Sequence, residues 1–305
     1  MNNILRWFYE NITDSLKLPV RFTRTLGEHP DIRILVTEPT KVVDATLVAQ
    51  WGAWFNQNAQ TGSKASLAGW HNDAGYGYSG TSIEVPELIE LVICDVIEHW
   101  GCDIREVEGL SCSKSPIEKF ESMDSFAEQN CKDLIREISE EKLQKNLAHT
   151  GIRIIHNKDT SDHFACYAWD GRTLLMNSDG SHHFAAARHI AGKINKGVPL
   201  QGKLYRYSLD LVSIERLCSK FDIFTLKSGS PYGELFDSLK ALQASFFTLN
   251  LPKPYKDVAA IFLPRTDRCS MRVANALRNS NYFDLGEHLT ELASRQTLKS
   301  SKRVQ

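Results

Sequence analysis

Asp179-Gly180-Ser181-His182-His183 lies between an apolar run, Leu174-Leu175-Met176, and an alanine-rich segment, Phe184-Ala185-Ala186-Ala187-Arg188. A strand that turns into a helix there would place backbone N–H groups, a hydroxyl and two imidazoles at a helix N-terminus. Unpaired N–H groups and the helix dipole favour negative charge at that point. The chemistry expected is phosphate binding. Asp179 orients, Gly180 permits close backbone approach to a ligand, and Ser181 with the following N–H groups holds the phosphate. His182 and His183 add donors or transfer protons and are the candidate catalytic residues. Arg188, one turn into the helix, is a further candidate ligand-binding residue. The competing reading is structural: Asp179 and Ser181 cap the helix while the histidines bond nearby backbone.

The elements around the turn follow from pattern. His163–Trp169 and Arg172–Met176 read as a hairpin, with Asp170-Gly171 as its turn. A helix is expected over 182–193, a strand over Lys203–Leu209, and a helix from an Asp210 cap to about Lys220. A short run at Phe221–Leu226, a helix near 233–245, strands near 246–251 and 257–263 and two further helices complete the C-terminal part, which ends in a basic tail. Upstream, 3–16 reads as an amphipathic helix and Val20–Thr25 and Ile32–Thr37 as extended. Residues 50–82, with Trp51, Trp54, Trp70, Tyr76 and Tyr78, read as a large ordered loop or irregular hairpin whose aromatics are core anchors or base-stacking platforms. Pro86–Trp100 reads as a buried helix, 123–147 as a charged helix and Ile152–His156 as a strand. Soft boundaries give three segments: a mixed, mainly helical 1–150, a core at 151–225, and an α/β extension at 226–305.

The arrangement over about 163–209 resembles the core of the ParB/sulfiredoxin superfamily. The shared features are a strand pair, the Asp179-Gly180-Ser181-His182-His183 turn, the alanine-rich helix, and a strand after Val198-Pro199. The resemblance implies an α+β fold with a small mixed sheet, flanked by helical N- and C-terminal regions. It also implies a nucleotide whose phosphates sit at the turn; members act as CTP-dependent DNA clamps, ATP-dependent sulfinic-acid reductases, amino-acid kinases and nucleases. No cofactor is identified by the residues themselves; a nucleoside triphosphate, with Mg²⁺, is the candidate. Two departures matter. Ser181 stands where the reductases carry Cys, so thiolate chemistry is not expected. His183 stands where Arg is usual, so phosphate affinity should fall as pH rises, since imidazole is only partly charged near neutrality. A non-catalytic interaction protein that keeps the fold and binds a protein partner is the alternative.

Composition bounds the rest. The 305 residues are 42% hydrophobic, enough for a full core, and 36 Lys+Arg against 37 Asp+Glu leave a formal charge of −1. That balance does not support DNA as a partner, although a local basic patch remains open. Seven scattered cysteines without a Cys-x-x-Cys pair read as reduced thiols of a cytoplasmic protein, none of them catalytic. No apolar run reaches the roughly 18 residues of a membrane span. His149, His156, His163, His182, His183 and His189 cluster in sequence without helical metal-ligand spacing, so no metal site is assigned. Arg265, Arg268 and Arg272 surround a helix start and offer either a second anion site or an ion-paired surface.

Overall fold

The computed structural model describes residues 3–55, 65–73, 77–157, 159–229 and 232–302. Its helices and strands run α1 (Asn3–Ser15), α2 (Val20–Glu28), β1 (Ser66–Asp73), β2 (Gly77–Glu84), β3 (Val92–Asp103), β4 (Val107–Leu110), α3 (Met123–Asn130), α4 (Glu140–Leu147) and α5 (Arg153–His156). There follow β5 (His163–Tyr167), β6 (Thr173–Met176), α6 (Ser181–Lys193), β7 (Pro199–Leu209), α7 (Leu211–Lys220), β8 (Phe221–Lys227), α8 (Tyr232–Leu242), β9 (Phe246–Asn250), β10 (Val258–Pro264), α9 (Arg268–Asn279) and α10 (Leu285–Lys302). The fold is α+β, with two five-stranded sheets. No helix among the described residues is long and apolar enough to cross a membrane.

Two units divide the chain. The first comprises Met1–Glu38, Gln50–Val92 and Leu209–Gln305, the second Pro39–Ala49 and Ile93–Ser208. They cut across the three linear segments expected from sequence, because strands before and after residue 150 share one sheet. In the first unit the order β2-β1-β9-β10-β8 is antiparallel throughout the paired strands. Its core gathers Phe22, Leu26, Phe224, Leu239, Ile261 and Leu277. Trp51 and Trp54 are buried as anchors, and Trp54 Nε1 donates to Asn250 O at 2.8 Å.

The second unit has the mixed order β3-β7-β5-β6-β4. β5 pairs antiparallel with β6 and parallel with β7, while β4 runs parallel to β6. α6 is enclosed, with Phe184, Ala185, Ala186, Ala187, Ile190 and Ala191 all buried. The alanines let α3 and α4 approach it closely, and Phe126 and Leu143 join the same core.

Several local expectations are corrected. Val20–Thr25 belongs to a helix, because Phe22, Thr25 and Leu26 are buried at helical spacing. Pro86–Leu88 is one 3₁₀ turn, and most of the helix expected to Trp100 is strand β3. The β-branched Val92, Ile93, Val96 and Ile97 outweigh the proline and glycine that mimic helix ends. The helix expected over 123–147 is two helices, the first stopping at Cys131. Ile152–His156 is a helical turn rather than a strand, since Ile152 O accepts from Ile155 N and His156 N. Within 50–82, β1 and β2 form a regular hairpin; residues 56–64 and 74–76 of that stretch, Tyr76 included, lie outside the described residues. The flanks are less helical than expected, because β1–β4 precede residue 150 and β9–β10 follow 225.

Candidate functional site

Parallel pairing aligns Leu110 of β4 with Leu175 of β6, so both strands end at the same sheet edge and their following loops lie side by side. In open sheets this is where ligands collect. Asn177, 5% exposed, ties the loops together. Its Oδ1 accepts from Ser111 N at 3.1 Å and Cys112 N at 3.2 Å, and its Nδ2 donates to Cys112 O at 2.9 Å and Asp179 O at 3.1 Å. Both amide hydrogens and both carbonyl lone pairs are thereby used. Ser178 is fixed through Asp162 Oδ1, which accepts from its N at 3.0 Å and its Oγ at 2.6 Å.

Gly180 adopts φ 73°, a left-handed conformation that glycine tolerates best. A Cβ here would sit 2.4 Å from Gly151 O and 2.6 Å from Ile152 N. The close approach expected to serve a ligand therefore serves the chain itself. Gly180 packs the turn against the 151–152 peptide.

The capping reading is also corrected. Gly180 occupies the N-cap position of α6, with no side-chain cap. Ser181 is the first helical residue, and among the described residues Asp179 Oδ1 accepts only from Gly180 N, at 2.7 Å. The first helical bond runs from Phe184 N to Gly180 O at 2.9 Å. The N–H groups of Ser181, His182 and His183 have no acceptor among the described residues.

These groups border a cleft of about 540 Å³ lined by Cys112, Ser113, Lys114, His149, Ser178, Asp179, Gly180, Ser181, His182 and His183. Five of the six residues expected to bind the ligand are in it. Ser181 Oγ donates to Ser113 Oγ at 3.0 Å, and Ser115 Oγ lies 2.9 Å from His182 Nε2. The exposed Asp179 carboxyl is held below its ordinary range by the Gly180 N–H bond, and further by Lys114 and Arg153. Lys114 is exposed and Lys142 half-buried, so the local field is basic although the whole chain is not.

The two histidines differ in their surroundings. His183 Nδ1 is 3.1 Å from Asn146 Oδ1, and the Asn146 amide is oriented because its Nδ2 donates to Leu134 O at 3.0 Å and Lys142 O at 3.1 Å. That fixes the proton on Nδ1 and leaves Nε2 as a lone pair. Nε2 has no hydrogen-bond partner among the described residues. The ring stacks on His149 with centroids 3.8 Å apart and planes at 11°. Burial first, then His149, His182 and Lys142, push the His183 pKa below its ordinary value. His182 is shifted the same way by burial and Lys114. Its surroundings thus disfavour the imidazolium, and Lys114 is the lysine lining the cleft.

Other candidates lie elsewhere. Arg188 is spent on structure, donating to Val107 O at 2.6 Å, Arg105 O at 3.1 Å and Asp124 at 3.0 Å, and it does not line the cleft. His189 is buried 2.9 Å from Asp124, His156 bonds Leu147 O and His163 bonds Ser161 O. Arg265 pairs with Asp222 at 2.8 Å, and Arg272 donates to Leu16 O at 3.2 Å, both within the first unit. None of the seven cysteines is in a disulfide, and Cys112 is exposed. Among the described residues no three His, Cys, Asp or Glu side chains form a metal-binding group.

Sequence reasoning missed Ser113, Lys114, His149, Asn146 and Asn177 as contributors. The one available signal was the run Ser111-Cys112-Ser113-Lys114-Ser115, small polar residues around a lysine, whose position beside residue 180 depends on the β4–β6 pairing. No curated protein and no solved structure matches the chain. A family model does match residues 97–302, a span that starts within β3 and takes in the whole cleft: the chain belongs to DUF6685, a family of unknown function.

Proposed function

We propose that the second unit binds a phosphate-bearing ligand in the cleft between residues 112–114 and the start of α6, a nucleotide being the class implied by the resemblance to the ParB/sulfiredoxin superfamily. One observation carries the reading: an uncapped helix N-terminus opens into a cleft that also gathers Lys114, Ser113 and Ser181. The order β5, β6, turn, α6, β7 is the order of elements on which the resemblance rests, and it supports the same reading. Ser181 and the 181–183 N–H groups hold phosphate oxygens, and Lys114 neutralises them. Asp179 is the one carboxylate lining the cleft and is available to a Mg²⁺ carried in by the phosphates. His183, its neutral form favoured and its Nε2 without a partner among the described residues, accepts the proton of a hydroxyl or water that attacks the terminal phosphorus, as the bond to the bridging phosphate oxygen breaks and the remaining phosphate leaves.

A thermal-shift screen of the purified chain against ATP, CTP, GTP, their diphosphates and inorganic pyrophosphate, with and without Mg²⁺, tests this, since a ligand that binds the native state raises its melting temperature. A shift that disappears in Ser181→Ala supports the site. No shift with any of these ligands would favour the non-catalytic interaction protein.

A further inference from the structure

Helix α1 is folded with its apolar side outward. Leu5, Phe8, Tyr9, Ile12 and Leu16 are 62%, 55%, 51%, 58% and 60% exposed. Glu10, Thr13 and Asp14, on the opposite side, are buried. The reversal is imposed by ion pairs with α2 and its neighbours. Glu10 meets Arg24 at 2.8 Å and Arg6 at 3.3 Å, and Asp14 meets Arg21 at 3.1 Å. Turning the helix over would strand these arginines and carboxylates unpaired, so the apolar stripe is held in solvent.

Leu5, Tyr9, Ile12 and Leu16 are spaced 4, 3 and 4 residues apart, the period of a seam that packs against another helix. Phe8 flanks it, and Leu18, 40% exposed, extends it. Beside Leu18 an apolar hollow of about 410 Å³ is lined by Leu18, Pro19, Val20, Thr23 and Arg24, wide enough to receive a large side chain. We propose that α1 is a homodimerisation element, its seam packing against the same seam of a second copy of this chain.

Area and charge select that occupant. From the exposed fractions the seam with Phe8 and Leu18 presents roughly 650 Å², inside the roughly 600–1,000 Å² that each partner contributes to a standard stable interface. A two-fold axis puts identical apolar residues together, and none of the seam positions carries a charge that self-pairing would set against its like. A helix lying on an anionic membrane needs free basic side chains around its apolar face. Here Arg6, Arg21 and Arg24 are committed to Glu10, Asp14 and Glu28.

Analytical ultracentrifugation of the full chain across a concentration series tests the proposal. The expected result is a concentration-dependent dimer. Ile12→Glu and Leu16→Glu each raise the dimer dissociation constant at least roughly a hundredfold, because dimerisation would bury an unpaired carboxylate. Both variants keep the circular dichroism of the wild type, since the side chains are exposed in the monomer. Leu35→Glu, at a 70% exposed residue outside the helix, leaves the dimer intact. Wild type that remains monomeric at about 100 μM, well above the Kd expected of a standard-size interface, overturns the proposal. So does a dimer that both seam variants retain. A monomer that sediments with anionic vesicles assigns the face to a membrane instead.

Discussion

Replacing Asn177 with Ala removes a buried carboxamide that makes four hydrogen bonds at 2.9–3.2 Å between the 111–112 backbone and Asp179 O. At about 1 kcal/mol net per bond the loss would reach about 4 kcal/mol. Ser111 and Cys112 border the cleft, so water entering the vacated space re-satisfies part of the exposed backbone. The expected destabilisation is therefore about 2–3 kcal/mol, or a melting temperature lowered by roughly 7–11 °C for a unit of this size. Hydrogen exchange should accelerate in both loops, 111–116 and 177–180, while α3 keeps its protection. Asn177→Asp separates geometry from hydrogen-bond polarity. The carboxylate can still accept from Ser111 N and Cys112 N, yet it faces the carbonyls of Cys112 and Asp179 without a proton to give, so it also destabilises at neutral pH. An Asn177→Ala protein melting within about 1 °C of wild type, where surface substitutions fall, would refute the view that this amide builds the cleft.

Gly180→Ala combines a φ of 73° with a Cβ 2.4 Å from Gly151 O, and should cost about 3 kcal/mol or more in thermal melts, with or without ligand; wild-type stability would contradict the packing role. Arg188→Ala should lower stability by about 2–4 kcal/mol by leaving Val107 O and Arg105 O without their partner and Asp124 with His189 alone, while ligand affinity measured by titration stays within about twofold. His182 and His183 have folded pKa values below the unfolded value of about 6.5, so their contribution to stability is complete above that pH and is lost as pH falls through the folded values. Melting curves between about pH 8 and pH 5 should show this loss, and a His182→Gln/His183→Gln double variant should lose part of the slope.

The second unit's hairpin, turn, helix and following strand were legible because each is encoded locally. Asp170-Gly171 marks the turn, short apolar runs mark β5 and β6, and the alanines of α6 announce a closely packed helix. What was not legible depended on pairing across long separations. Pro86–Trp100 satisfied the terminal signals of a helix, and only its β-branched residues and the neighbouring β7 made β3 of it. Half of the cleft was hidden for the same reason. Lys114 lines the same cleft as residue 180 because β4 runs parallel to β6 across more than sixty intervening residues. His183 was visible as a site residue, but its tautomer is set by Asn146, whose amide is oriented by α4 and by Leu134 O. Gly180 was read for the right property and the wrong neighbour, since nothing local announces that Gly151 packs against it.

Isothermal titration of pyrophosphate, ATP, CTP and GTP into the wild-type chain and Lys114→Ala, at pH 6, 7 and 8, tests the cleft most directly. Wild type should bind at least one of them. Lys114→Ala should weaken that binding roughly 10- to 100-fold at every pH, the loss of one charge-assisted contact. His183→Gln should keep the affinity within about threefold, because burial and the neighbouring His149, His182 and Lys142 disfavour a charge on this imidazole. Equal affinities for wild type and Lys114→Ala, or an affinity that collapses only in His183→Gln as pH falls from 8 to 6, would contradict a cleft charged by Lys114 with His183 as its neutral base.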